Sequence, residues 1–287
     1  FKRDSEIDLN SLFRDDRHKK VSYNMRDVRT WIEIDAKALR HNAEQFLKLI
    51  PKHTRLMAVI KSNAYGHGLV LVSKILSKLQ VPRLPNGGQA SSKLCFGVDS
   101  VVEALRLRRE GIKNSILVLG YTLPSRLTEA GTNGIALTVS TFDALKAIAA
   151  LKKRPPFHIK IDTGMHRQGF LPQDVFKLIK LLRHFKLTPA GVYTHFASAK
   201  DPDDPDYTIR QLKFFGGVIS ELEKVNFHNI IRHAAASGGT LLFPESHLDM
   251  VRIGMGLYGY WPSKECRMSD VESRNSDIRP AAFGVRL

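Results

Sequence analysis

The run Leu56-Met57-Ala58-Val59-Ile60 is the first of eight short apolar segments that decide the fold of this 287-residue chain. Because it is apolar at every position, it is typical of a strand buried on both faces of a parallel sheet. A helical pattern of apolar residues follows it over 69–80. The other seven runs cover residues 94–98, 116–119, 135–139, 158–162, 190–196, 230–235 and 250–254.

Amphipathic stretches separate these runs, so strand and helix patterns alternate; they include residues 100–110, 140–151, 172–185 and 207–225. The alternation predicts an α/β fold, and a count of eight strands favours a closed (β/α)8 barrel, the TIM barrel. An open doubly wound sheet is the alternative. Its typical GxGxxG pattern occurs only at 254–259, without a following βαβ unit, so it does not indicate a dinucleotide site.

The two ends of the chain have a different pattern from the barrel region, for which we expect residues 30–275. Residues 1–29 carry many charges and little apolar periodicity, which predicts an extension or a linker. Residues 30–35 alternate like a strand, and a helix is expected over 36–50. A long loop is predicted over 81–93, where two prolines and Gly87-Gly88 occur.

The composition limits the possible classes of protein. The 44 Lys and Arg residues against 28 Asp and Glu give a net charge of +16, and this excess is spread along the helical segments. A solvated basic surface is therefore favoured over a dedicated nucleic-acid interface. Cys95 and Cys266 cannot build a disulfide framework, which fits a reducing cytoplasm. No apolar run is long enough to span a membrane, so we expect no membrane partner.

Chemically useful side chains stand where the predicted strands end, and in a (β/α)8 barrel these ends form the active-site face. A lysine that is desolvated at the end of an apolar strand has a lowered pKa and can act as a Schiff-base nucleophile or a general base. The candidates are Lys61 after the first run, Lys160 and Arg167 at the fifth, His195 at the sixth, Ser237 at the seventh and Arg252 at the eighth.

Two glycine turns follow the last two predicted strands, at Ser237-Gly238-Gly239 and Gly254-Met255-Gly256. Their backbone N–H groups are suited to a phosphate, although each glycine pair taken alone is more often just a turn. Taken alone, His195 is also explained as a core histidine and Arg252 as an ion-pair partner at the barrel rim. No His, Cys or Glu grouping has metal-ligand spacing, so we expect no catalytic metal.

The segment Ala58-Val59-Ile60-Lys61-Ser62-Asn63-Ala64-Tyr65-Gly66-His67-Gly68 closely resembles the pyridoxal-phosphate attachment motif of bacterial alanine racemases. The resemblance covers roughly residues 28–287 and continues through 31–35, 96–98, 116–120, 160–167, 191–197 and 250–259. It implies that Lys61 is covalently joined to pyridoxal 5'-phosphate and serves as the base on one face of the substrate Cα. Tyr65, Ser237 and the backbone at Gly254 and Met255 would hold the cofactor phosphate.

The resemblance also implies roles around the cofactor ring and the substrate. His195 would pack against the pyridine ring, and Arg252 would face the ring nitrogen, which a guanidinium leaves unprotonated because it has no acceptor. Lys160 matches a lysine that carbon dioxide carbamylates, and Arg167 matches the arginine that it orients near the substrate carboxylate. Lys61, Arg167 and His195 are thus the expected catalytic residues.

Two departures from the family pattern change what we expect of the chain. Ala236 stands where the family commonly has asparagine before the phosphate-binding serine, so one polar contact is missing. The family's second base is a tyrosine from the C-terminal β-domain of the partner subunit. We interpret residues 276–287 as the start of a truncated β-domain, with which strand 30–35 pairs. The natural protein is expected to be longer and homodimeric, and this chain to racemise weakly or not at all.

The function implied is interconversion of L- and D-alanine, which supplies D-alanine for peptidoglycan in the cytoplasm. Serine or another small amino acid is not distinguished, because one methylene discriminates by only roughly 1–3 kcal/mol. A non-catalytic pyridoxal-phosphate homeostasis protein is the first alternative. A cofactor-free Schiff-base aldolase or an RNA-associated barrel is the second.

Overall fold

A computed structural model describes residues 31–79, 93–201, 203–263 and 282–286. The segment 1–29, the predicted loop 81–93 except Lys93, and Cys266 lie outside the described residues. Ten strands are described: β1 (Trp31–Ile34), β2 (Arg55–Val59), β3 (Leu94–Val98), β4 (Ile116–Val118), β5 (Ala136–Val139), β6 (Phe157–Lys160), β7 (Gly191–Tyr193), β8 (Ile231–His233), β9 (Met250–Ile253) and β10 (Ala282–Arg286).

Strands β2 to β9 form one parallel sheet in the order β8-β7-β6-β5-β4-β3-β2-β9. Its two ends meet, because Ala236 and Arg252 form a parallel bridge and the Arg252 N–H donates to the Ala235 carbonyl at 3.0 Å. The sheet therefore closes, which confirms the predicted (β/α)8 barrel and excludes the open sheet. Each of the eight predicted runs overlaps one of these strands.

Four of the described helices begin where a short polar side chain accepts one or more of the first free N–H groups. Asp35, Ser100, Thr141 and Asp204 each accept at least one backbone N–H at the start of a helix. The helices are α1 (Ala36–Leu49), α2 (Lys61–Tyr65), α3 (Leu69–Ser77), α4 (Val101–Arg109), α5 (Leu127–Thr132), α6 (Phe142–Ala149), α7 (Val175–His184), α8 (Pro205–Glu223) and α9 (Ser237–Leu242). The pattern did not predict α2, α5 and α9, which have only five or six residues each.

Alternate residues of each strand serve two different cores, because successive side chains point to opposite faces. The outward residues pack under the helices; Leu56 and Ala58 of β2 join Phe46 of α1 and Leu76 of α3 in the main buried cluster. The inward residues form a separate, smaller apolar cluster inside the barrel, made of Met57, Val59, Cys95, Leu117 and Met250.

The rest of the barrel interior is polar. The buried inward side chains here are Thr138, His158, Lys160, Tyr193, His233 and Arg252. His158 reaches His233 across the intervening strand β7, where Gly191 has no side chain; a Cβ at Gly191 would collide with the His158 ring. The unusual polar alternation over 158–162 thus arises because this strand lines the polar half of the interior.

Outside the barrel, β1 pairs antiparallel with β10, with Trp31 opposite Arg286 and Ile34 opposite Ala282. The pairing joins two segments that stand before and after the barrel in the chain. Among the described helices, none is both long and apolar enough to cross a membrane.

Candidate active site

One cavity of about 540 Å³ opens at the carboxyl ends of the barrel strands. Every site residue selected from the sequence lines it: Lys61, Tyr65, Lys160, Arg167, His195, Ser237, Arg252, Gly254 and Met255. Their exposure differs. Lys160, Ser237, Arg252 and Gly254 are buried, whereas Lys61 and His195 are half-buried. Tyr65, Arg167 and Met255 are exposed at the mouth.

Lys61 leads into a left-handed turn. The next four residues, Ser62 to Tyr65, have φ values of 54°, 54°, 56° and 52°, and each costs roughly 1–2 kcal/mol in this conformation. Side chains hold the turn in place: Asn63 Oδ1 accepts the Leu69 N–H at 2.9 Å, and the Asn63 N–H donates to Glu103 at 2.9 Å. Lys61 and Tyr65 consequently both line the cavity.

Ser237 and two glycines form a donor-rich corner of the cavity. The Ser237 hydroxyl accepts the N–H groups of Gly254 and Gly256 at 3.2 and 3.3 Å. A Cβ on Gly254 would lie 2.9 Å from the Tyr65 hydroxyl oxygen, so this phenol lies directly over the glycine. Small hydroxyl and N–H donors in such a corner match the acceptor oxygens of a phosphate.

Arg252 is the centre of the polar interior. Its Nη2 donates to the carbonyls of Thr194 and Ala234 at 2.8 and 2.6 Å and lies 3.1 Å from His195 Nδ1. Its Nη1 lies 2.9 Å from His233 Nδ1. A guanidinium only donates, so both Nδ1 atoms accept and the ring protons belong on Nε2.

The charges and burial keep these imidazoles neutral. Burial, with the positive charge of Arg252 as the next cause, lowers the pKa of His195 to about 3. Burial likewise holds the pKa of His233 well below its usual range. Burial lowers the pKa of Arg252 itself to about 10, which leaves it protonated near neutrality. The site therefore combines one fixed cation with neutral acceptors.

Lys160 and Arg167 line the cavity at and after the end of β6. Burial, followed by the nearby charges of Arg167 and Arg252, lowers the pKa of Lys160 to about 8. Lys160 Nζ lies 5.7 Å from the centre of the Tyr193 ring. The carboxylate of Asp162 holds the following loop, because it accepts four backbone N–H groups, those of residues 164 to 167.

Residues 34–262 match the family model described as alanine racemase, N-terminal domain. The chain belongs to this family. It is 38% identical to the alanine racemase of Desulforamulus reducens over 241 residues, which is 82% of this chain and 62% of that protein. It is also 38% identical to that of Methanococcus maripaludis over 242 residues, 82% of this chain and 61% of the relative.

Solved structures of alanine racemases have the same fold. The enzyme of Clostridium difficile 630 in complex with cycloserine superposes with a TM-score of 0.77 at 32% identity, covering 89% of this chain and 67% of that one. The enzyme of Streptomyces lavendulae gives a TM-score of 0.75 at 31% identity, covering 89% and 64%. The chain spans about three-fifths of the length of the curated relatives that it matches.

The sequence did not predict the buried polar side chains that contact Arg252 and one another beneath the cavity of this racemase-family chain. His233 Nε2 lies 2.9 Å from His158 Nδ1, and the His233 ring stacks on Tyr193 with centroids 4.6 Å apart. The Tyr193 hydroxyl lies 2.9 Å from Thr138 Oγ1. The one signal in the sequence was the polar alternation over 158–162. Asp99, Gln168 and Lys200 also line the cavity and were not predicted.

A metal site in a protein needs several His, Cys, Asp or Glu side chains close together. Over residues 31–79, 93–201 and 203–263, no three His, Cys, Asp or Glu side chains are grouped so that they could hold a metal ion.

Proposed function

We propose that the whole protein is a pyridoxal-phosphate-dependent racemase that interconverts L- and D-alanine. The observation that supports this most directly is that Lys61, His195, Arg252 and the Ser237 corner line one cavity of a barrel from the alanine racemase family. D-alanine for peptidoglycan would be its product. A cytoplasmic location, expected from the low cysteine content, is part of the proposal.

The residues present fit this cofactor. Lys61 supplies the amine for covalent attachment, and the hydroxyls of Tyr65 and Ser237 with the backbone at Gly254 and Met255 would hold the phosphate. His195, neutral and donated to by Arg252, would pack against the ring. When bound, pyridoxal phosphate supplies the electron sink that acidifies the Cα–H of an attached amino acid.

Arg252 would control how strong that sink becomes. Because the guanidinium is protonated near neutrality and has no acceptor, a ring nitrogen facing it receives a hydrogen bond rather than a proton. Lys61 would remove or return the Cα proton on one face. Arg167, with Lys160 beside it, would attract the substrate carboxylate.

The base on the other face is proposed to come from a partner subunit in a homodimer of the full-length protein. This expectation rests on the family resemblance.

Absorbance and proton exchange test the proposal together. Adding pyridoxal phosphate to the chain should produce a visible absorbance band that Lys61→Ala abolishes and Lys213→Ala, which alters an exposed lysine of α8, retains. The full-length protein should exchange the Cα proton of L-alanine in deuterated water and form D-alanine. A band without exchange in the full-length protein would favour the homeostasis protein, and no band would favour the aldolase or RNA-associated alternatives.

A further inference from the structure

Lys200 is a cation of the cavity for which the family resemblance supplied no role. It follows β7 in a turn that the Asp201 N–H closes on the Ser198 carbonyl at 2.8 Å. Its side chain lines the same cavity as Ser237, Gly238 and Gly239. A Cβ built on Gly238 would lie 3.4 Å from the Cβ of Lys200, so Lys200 begins directly beside the residue that follows Ser237.

Two of the other cations of the cavity contact groups elsewhere in the site. Arg252 donates to the polar interior, and Lys160 lies over Tyr193. Lys61 is the proposed attachment point, and Arg167 follows β6, two strands from the β8 end that leads into Ser237. The cavity has five cations: Lys61, Lys160, Arg167, Lys200 and Arg252. Only Lys200 has an atom among those nearest to the glycine turn that follows Ser237.

The ammonium of Lys200 is available for an external anion. Among the residues that the structure describes, no carboxylate lies within ion-pair distance of it. Its neighbours along the cavity wall, Ala197, Ala199 and Ala236, contribute only methyl groups and backbone. The corner at Ser237 and Gly254 offers neutral donors, whereas a phosphate monoester carries about −1.5 to −2 charges at neutral pH.

We propose that Lys200 is an anion-binding residue at the phosphate end of this cavity and makes the site select phosphorylated pyridoxal over pyridoxal. The inference rests on the proposed function and adds a residue to it. Lys200 supplies the positive charge that the neutral donors of the corner lack. Because the side chain is partly in water, its contribution is that of a single charge-assisted hydrogen bond rather than of a buried ion pair.

Titration of the cofactor-free chain with two ligands tests this inference. In Lys200→Met, the dissociation constant for pyridoxal phosphate should rise about five- to tenfold, whereas that for pyridoxal should change less than about twofold. Both ligands can bond to Lys61, so the difference isolates the phosphate. The affinity of the variant for pyridoxal phosphate should also depend less on salt concentration.

Two further variants control the experiment. Lys200→Arg keeps the charge and should retain most of the preference for the phosphorylated ligand, while Lys213→Met on α8 should change neither affinity. Equal weakening of both ligands in Lys200→Met, or no weakening, would overturn the role of Lys200 and leave the racemase proposal intact. If the unaltered chain bound neither ligand, the proposed function itself would fail, and this inference with it.

Discussion

Nη1 of Arg252 lies 2.9 Å from Nδ1 of His233, at the centre of the barrel. The Arg252 contact assigns the His233 proton to Nε2, which then donates to His158 Nδ1 at 2.9 Å. The hydrogen bonds therefore all point the same way: Arg252 at the cavity donates to His233, and His233 donates to His158 in the interior. The guanidinium is held by groups that cannot themselves take its proton near neutral pH, because burial keeps both imidazoles neutral.

Removing the central imidazole should destabilise the barrel. His233→Leu leaves a buried N–H of Arg252 and the Nδ1 of His158 without their partner, which should lower the free energy of unfolding by about 1–3 kcal/mol. Urea denaturation measures this change. The exposed His228 provides the control, since His228→Leu should stay within about 0.5 kcal/mol of the unaltered chain. Equal effects of the two variants would contradict the importance of the network.

The buried histidines should make the fold sensitive to acid. The pKa values of His158 and His195 are lowered to about 3, mainly by burial, so the unfolded chain binds protons more readily than the folded one below its own pKa of about 6.5. Stability is therefore complete above about pH 6.5 and is lost as the pH falls, by up to about 1.4 kcal/mol per pH unit for each group.

Unfolding free energies measured across that pH range check this effect. His158→Gln removes one of the groups and should make the dependence on pH shallower. A slope as steep as that of the unaltered chain would show that this imidazole does not titrate differently in the folded state.

The glycine beneath Tyr65 should matter for cofactor binding. Gly254→Ala places a Cβ 2.9 Å from the Tyr65 hydroxyl and should displace the phenol, weakening affinity for pyridoxal phosphate by about tenfold. The matched control is Gly216→Ala in α8, where a Cβ meets nothing within 4 Å. That change should leave affinity unaltered and stabilise the chain by about 0.5–1 kcal/mol. Unchanged affinity in Gly254→Ala would argue against Tyr65 as a phosphate ligand.

Lys160 should react with carbon dioxide more readily than a surface lysine. The pKa of Lys160 is about 8, so at about pH 7.5 its amine is neutral and nucleophilic in roughly a quarter of the molecules. Carbon-13 NMR with labelled bicarbonate should show a carbamate signal that Lys160→Arg lacks and Lys213→Arg keeps. The same signal in Lys160→Arg would assign the carbamate to another amine.

The pattern of the chain was sufficient to predict the barrel, and the reason lies in the strands themselves. Runs such as 56–60 and 94–98 are apolar throughout because one face of each strand packs under helices and the other faces the barrel interior. The composition of each run therefore shows that its strand is buried on both faces. Capping residues such as Asp35 and Ser100 also act within one turn of the chain. The short helices α5 and α9 were missed because six residues are too few to show a helical period.

Local pattern along the chain therefore specified the eight-strand barrel and the set of side chains at the ends of its strands, since both depend on residues only a few positions apart. The left-handed turn after Lys61, the contact of Arg252 with His233 and the position of Lys200 beside Gly238 required the folded molecule. Each of them depends on residues distant in the chain. Pairing of neighbouring strands brings the first and third sets together, and closure of the barrel between β8 and β9 brings Arg252 to His233.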